Sequence, residues 1–207
     1  MDKNFRVRKY IVVICSLLIL IISELLLRAL FGLGNAPLYE KSNSYEYIAC
    51  PNQNCYRFGN HIKYNSYSQR SDEPDSTKNI VLGLGDSVLF GGAMLDQDSL
   101  ATTLFTKETD WQMLNISCGS WGPDNCAAYL RDKGLFGAKA MFLLVSSHDA
   151  HDNMDFQNVV GFHPSYPDKN YLMAWGELIG RYIYPRTIGK LLGGVILKTQ
   201  TNKYLMV

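Results

Sequence analysis

Ser87 stands in the triplet Gly85-Asp86-Ser87, directly after the apolar run of residues 79–84 (NIVLGL) and shortly before Gly91-Gly92. A serine hydroxyl is a weak nucleophile. It needs an exposed position, backbone N–H groups around it and a base to take its proton. Two further polar clusters follow apolar runs in the same way: Gly119-Ser120-Trp121-Gly122-Pro123 and Ser146-Ser147-His148-Asp149. A glycine at the second lets a substrate oxygen approach a main-chain donor, and a side-chain donor at the third completes an oxyanion hole. The chemistry that suits this set is acyl transfer. A lone Gly-Asp-Ser is equally a turn whose Asp and Ser cap a helix, but three such clusters in series favour the catalytic reading.

Those clusters must be placed by the elements between them. Residues 79–84 read as a strand buried on both faces of a parallel sheet, residues 96–108 as a helix, and residues 113–116 as the centre of a second strand. Residues 123–133 (PDNCAAYLRDK) form a second helix with Pro near its first turn, and residues 138–145 (AKAMFLLV) a third strand. Strand, helix, strand, helix, strand is the pattern of an α/β domain with right-handed crossovers, whose sites lie beyond the carboxyl ends of the strands. A further helix is expected over residues 169–182. Residues 33–78, rich in Asn, Ser, Tyr and Pro without a sustained period, read as a stalk or wrapping segment.

The N-terminus has a different character. Lys3, Arg6, Arg8 and Lys9 precede an apolar stretch, so residues 1–9 read as a basic flank and residues 10–32 as a transmembrane anchor. Glu24 and Arg28 share one helical face and can pair near the far interface. The basic flank places the N-terminus in the cytoplasm and the main domain outside, as a single-pass membrane protein. A cleaved signal peptide fits less well, because no small-residue cleavage site follows the apolar run.

Composition removes other classes. The 207 residues carry 20 Lys+Arg against 19 Asp+Glu, which leaves no basic face for nucleic acid. A mean hydropathy of −0.08 argues against several membrane spans. Of the five cysteines, Cys15 lies in the apolar helix, while Cys50 and Cys55 bracket a polar loop and are expected to bond to each other in an oxidising compartment; Cys118 and Cys126 belong to another segment.

The residues Gly85, Asp86, Ser87 and Gly91 resemble the Gly-Asp-Ser-x-x-x-Gly block of the SGNH, or GDSL-like, hydrolase family. The stretch from Asn115 to Gly122 is similar to the family's second block, which implies that the Gly119 N–H serves the oxyanion, with Ser120 as a one-residue alternative. The third block, Gly-x-Asn-Asp, corresponds to Ser146-Ser147-His148-Asp149, so His148 takes the place of the Asn donor. Asp86 and Asp149 stand as supporting residues. The resemblance implies a three-layer, flavodoxin-like parallel-sheet domain over residues 79–207. The anchor and stalk are similar to those of members linked to surface polysaccharide modification.

The family's fourth block, Asp-x-x-His, is absent: the histidines are His61, His148, His151 and His163, and none follows an Asp by three residues. Either the domain is C-terminally incomplete or another histidine serves, of which His151 in the run HDAHD is the candidate. That run does not amount to a metal site, because its two histidines lack any further ligand motif, and no cofactor is implied. The expectation is a membrane-anchored serine esterase or acyltransferase acting on acylated carbohydrate or polysaccharide. The alternative is a degenerate SGNH-like domain that binds glycan or a partner without turnover, or a fragment of a longer enzyme. Oligomeric state is not legible.

Overall fold

The computed structural model describes residues 3–147 and 153–184. The chain divides into two compact units: one combines the segment up to Gly34 with the chain from Tyr171, and the other holds Asn35–Asn170.

Helix α1 (Lys3–Phe31) opens the first unit, and its Arg8–Phe31 portion is long and apolar enough to cross a membrane. At about 1.5 Å per residue, such a helix exceeds the ~30 Å of a hydrocarbon core. Its apolar side chains stand outward along the whole stretch, among them Leu17, Leu18, Ile19 and Leu26. The two serine hydroxyls in it are satisfied internally: Ser16 donates to the Val12 carbonyl and Ser23 to that of Leu20, each at 2.9 Å. The helix closes at Gly32, whose left-handed backbone (φ 65°) lets its N–H reach the Arg28 carbonyl.

The second unit begins with two antiparallel hairpins, β1 (Tyr39–Ser42) with β2 (Glu46–Ala49), and β3 (Asn54–Arg57) with β4 (Asn60–Lys63). Their Tyr39, Tyr45, Tyr47, Ile48, Cys55 and Ile62 join one core with Ile80, Leu82, Leu84, Leu114 and Ile116. The segment expected as a stalk or wrap therefore supplies part of the hydrophobic core. Trp121 is the hub of this junction: its ring contacts Tyr45 and Tyr129, and its indole N–H donates to the Tyr47 carbonyl at 3.0 Å.

The sheet is parallel, in the order β6-β5-β7, formed by β5 (Asn79–Gly85), β6 (Trp111–Ser117) and β7 (Ala140–Leu143). Helices α2 (Ser87–Phe90) and α3 (Ala101–Glu108) connect β5 to β6, and α4 (Pro123–Lys133) leads from β6 towards β7. Pro123 opens α4 and the Gly122 N–H is held by the Asn125 side chain, the signals by which the sequence marks this start. The helix expected over residues 96–108 is split, since Asp96 caps a short 3-10 turn (Gln97–Ser99) and buried Leu100 is extended before α3.

The third strand departs from expectation. It covers four residues, and all four are exposed, with Met141, Phe142 and Leu143 between 43% and 56% accessible. Among the described residues it is an outer strand of the sheet. The opposite outer strand, β6, is buried along most of its length because α2 and α3 pack on it.

Helix α5 (Ala174–Glu177) belongs to the first unit and continues as a wider turn through Leu178–Ile183. It begins later than the helix expected over residues 169–182.

The expected Cys50–Cys55 bond is not present: all five cysteines are free thiols. Cys55 lies in β3 opposite Ile62 and faces the core, whereas Cys50 is half-buried beyond the end of β2. Burial pushes both thiols up, which keeps them protonated and slow to oxidise. Mapping of non-reduced peptides is expected to return both residues as free thiols, and a linked peptide would contradict this arrangement. The pair thus gives no support for an oxidising compartment.

Candidate functional site

Parallel pairing sets the level of each strand end. Gly83 lies opposite Asn115 on β6 and Phe142 on β7. Four residues further along the chain from each stand Ser87, Gly119 and Ser146, so the register carries these three strand-end residues to one edge of the sheet. Ser87 follows the central strand and is exposed, while its predecessor Asp86 is only 7% accessible.

The turn at Ser87 is built from several directions. Asp86 caps α2 by accepting the Val88 N–H at 2.9 Å. This is the capping role that a Gly-Asp-Ser triplet also encodes. It occupies the Asp86 carboxylate and leaves the Ser87 side chain outward. Gly85 permits the tight approach of strand and helix, since a Cβ there would meet Leu89 Cβ at 3.1 Å. Gly91 ends α2 in the left-handed region (φ 69°), where a Cβ would meet Leu100 at 2.9 Å.

Two buried polar side chains then fix this loop. Asn115 is fully buried in β6; its amide donates to the Leu89 carbonyl and the Thr102 hydroxyl, both at 3.1 Å, and its oxygen accepts from Ser117. Asn115 is thus a brace for α2. Arg70, 1% accessible, reaches under the loop after α2, donating to the carbonyls of Phe90 (2.6 Å), Gly92 and Leu95 (2.7 Å). Sequence reasoning missed Arg70, because nothing local marks a charged residue in a polar segment as buried.

At the second strand end the Gly119 carbonyl accepts two phenol hydroxyls, from Tyr47 and Tyr166, each at 3.0 Å. A Cβ at Gly119 would lie 3.1 Å from the Tyr166 hydroxyl, so glycine permits this clamp. Ser120 is exposed, in the left-handed region (φ 57°), with its oxygen 3.5 Å from the Tyr166 hydroxyl. Cys118 is buried beside them. Burial drives its thiol far above the ordinary range, and the neighbouring Gly119 N–H offsets only part of that, so Cys118 is no competing nucleophile.

His148, Asp149 and His151 lie outside the described residues. The other two histidines are described. His61 on β4 lies 3.3 Å from the Asp96 carboxylate through Nδ1, and its backbone N–H donates to the same carboxylate at 2.7 Å. The His61 N–H and that of Asp98 hold the Asp96 carboxyl below its usual range. His163, read from sequence as a loop residue, packs its ring on Tyr166, the residue that clamps Gly119. Its Nδ1 accepts the Ser165 N–H at 3.2 Å. Among the described residues no three His, Cys, Asp or Glu side chains come together to hold a metal.

No protein-family model matches the chain, and no curated protein matches it.

Proposed function

We propose that the chain is a membrane-anchored serine esterase or acyltransferase of SGNH type, working on acylated carbohydrate outside the cytoplasmic membrane. The observation that carries the reading is the exposed Ser87 at the carboxyl end of the central parallel strand, with Gly119 and Ser146 at the same register level. The strand order β6-β5-β7, with the first strand of the sheet central, supports the reading of a flavodoxin-like sheet, in which sites lie where the strand order reverses.

In this reading Ser87 Oγ attacks the ester carbonyl carbon and gives its proton to a base. The carbonyl oxygen becomes an oxyanion facing the Ser87 and Gly119 N–H groups and His148. Collapse breaks the bond to the sugar oxygen, which leaves with the proton from the base. Water or a second sugar hydroxyl then takes the acyl group from Ser87. His151 is the proposed base. The anchor reading puts the first residues in the cytoplasm, on the strength of the Lys3, Arg6, Arg8 and Lys9 flank.

A second reading, a domain that binds glycan or a partner without turnover, is favoured by one observation: the partners of the two described histidines are Asp96 for His61 and Ser165 and Tyr166 for His163, rather than Ser87. The test compares the chain, its Ser87→Ala variant and its His151→Ala variant on one activated acetyl ester. Weak hydrolysis by the parent that disappears in both variants is expected. Equal rates in all three would leave the binding reading.

A further inference from the structure

The polar side chains on α1 reach across to α5. Glu24 accepts the Ala174 N–H at 2.7 Å and the Trp175 N–H at 3.1 Å, the first donors of α5, and also the Arg28 Nε–H at 2.8 Å. Ser23 accepts the Trp175 indole N–H at 2.9 Å, and Arg28 donates onward to the Leu172 carbonyl at 2.6 Å. Glu177, 1% accessible, accepts the Gly34 N–H at 2.6 Å. An intrahelical ion pair would need none of this. The carboxylate of Glu24 is the cap that seats a second helix on α1.

Below that seam lies a cavity of about 470 Å³, lined by Leu20, Ile21, Leu25, Met173, Trp175 and Ile179 with Glu24 at its edge. Its size falls within the roughly 300–1,000 Å³ of small-molecule sites. Leu20, Ile21 and Leu25 belong to the membrane-crossing stretch, so the cavity is continuous with the lipid-facing surface of α1. The polar atoms at its edge are bonded within the protein, which leaves hydrocarbon to line it. Arg28 stands about 4–5 Å further along the axis than Leu25, where an interfacial cation belongs, and its side chain stays 40% accessible.

We infer that this groove holds an acyl chain of a membrane phospholipid, with the phosphate beside Arg28. The inference rests on α1 crossing a membrane, one part of the proposed function, and not on the chemistry of Ser87. Trp175 then touches lipid inside the groove, while Leu172, 92% accessible, and Met173 enter the bilayer surface next to it.

The test uses the full chain in vesicles of phosphatidylcholine with dibrominated acyl chains, which quench indoles they touch. Flotation with the vesicles is measured first, and failure to float would overturn the membrane span and this inference with it. In floating protein, quenching is expected in the parent, absent from the Trp175→Phe variant, and reduced by half or more when Ile21→Phe and Ile179→Phe fill the groove. No Trp175-dependent quenching, as when a second copy covers the groove, would overturn the inference while the span stands. Equal quenching in the filled variant would overturn it too, since Trp175 would then face bulk lipid.

Discussion

Arg70→Met is expected to lower the unfolding free energy of the chain by about 3–5 kcal/mol, among the largest effects of any single substitution outside the sheet. The guanidinium is 1% accessible and spreads its donors over the carbonyls of Phe90, Gly92 and Leu95. Methionine fills a similar volume but offers no donor, so three carbonyls lose their partner, that of Phe90 in a buried position. Arg70→Lys is expected to recover only part of the loss, because one ammonium cannot match a planar fork aimed at three acceptors. Urea unfolding followed by tryptophan fluorescence measures both, with the midpoint shifting at an unchanged slope. A shift of the Arg70→Met midpoint no larger than that of a surface substitution would show that the clamp carries little energy.

Asn115→Leu is the second large effect, about 2–4 kcal/mol. Its amide is the bond between β6, the end of α2 and the Thr102 hydroxyl of α3. Leucine keeps the bulk but strands the Leu89 carbonyl and the Thr102 hydroxyl. Because Leu89 lies two residues from Ser87, the same variant is expected to increase hydrogen exchange at the α2 amides before the rest of the sheet opens. Uniform exchange throughout the unit would contradict a local brace.

The elements that the sequence announces are those whose signals are local. The run NIVLGL reads as β5 because it is largely apolar and is followed by Gly85, and Pro123 announces α4. The four hairpin strands are too short to show alternation, and their buried residues, Tyr39, Tyr47, Ile48, Ala49, Cys55, Arg57 and Ile62, are scattered through a polar, Asn-rich context that reads as loop. Glu24 was legible as a partner of Arg28 in the same helix. Its bonds to Ala174 and Trp175 span about 150 residues of sequence and have no local mark. At the candidate site, Ser87 and Gly119 were legible from strand ends, whereas the residues that hold them, Arg70, Tyr47 and Tyr166, come from segments with no motif. The cysteine spacing misled, because a short loop between two cysteines says nothing of which one faces the core.

The most direct measurement is covalent trapping of Ser87 by a fluorophosphonate, a reagent that an activated serine attacks at phosphorus with loss of fluoride. The account predicts slow formation of a single phosphonyl adduct, mapped by mass spectrometry to the peptide carrying Ser87 and absent from the Ser87→Ala variant. An adduct spread over other serines, equal labelling of the Ser87→Ala variant, or no adduct under conditions that label a serine esterase control would contradict it.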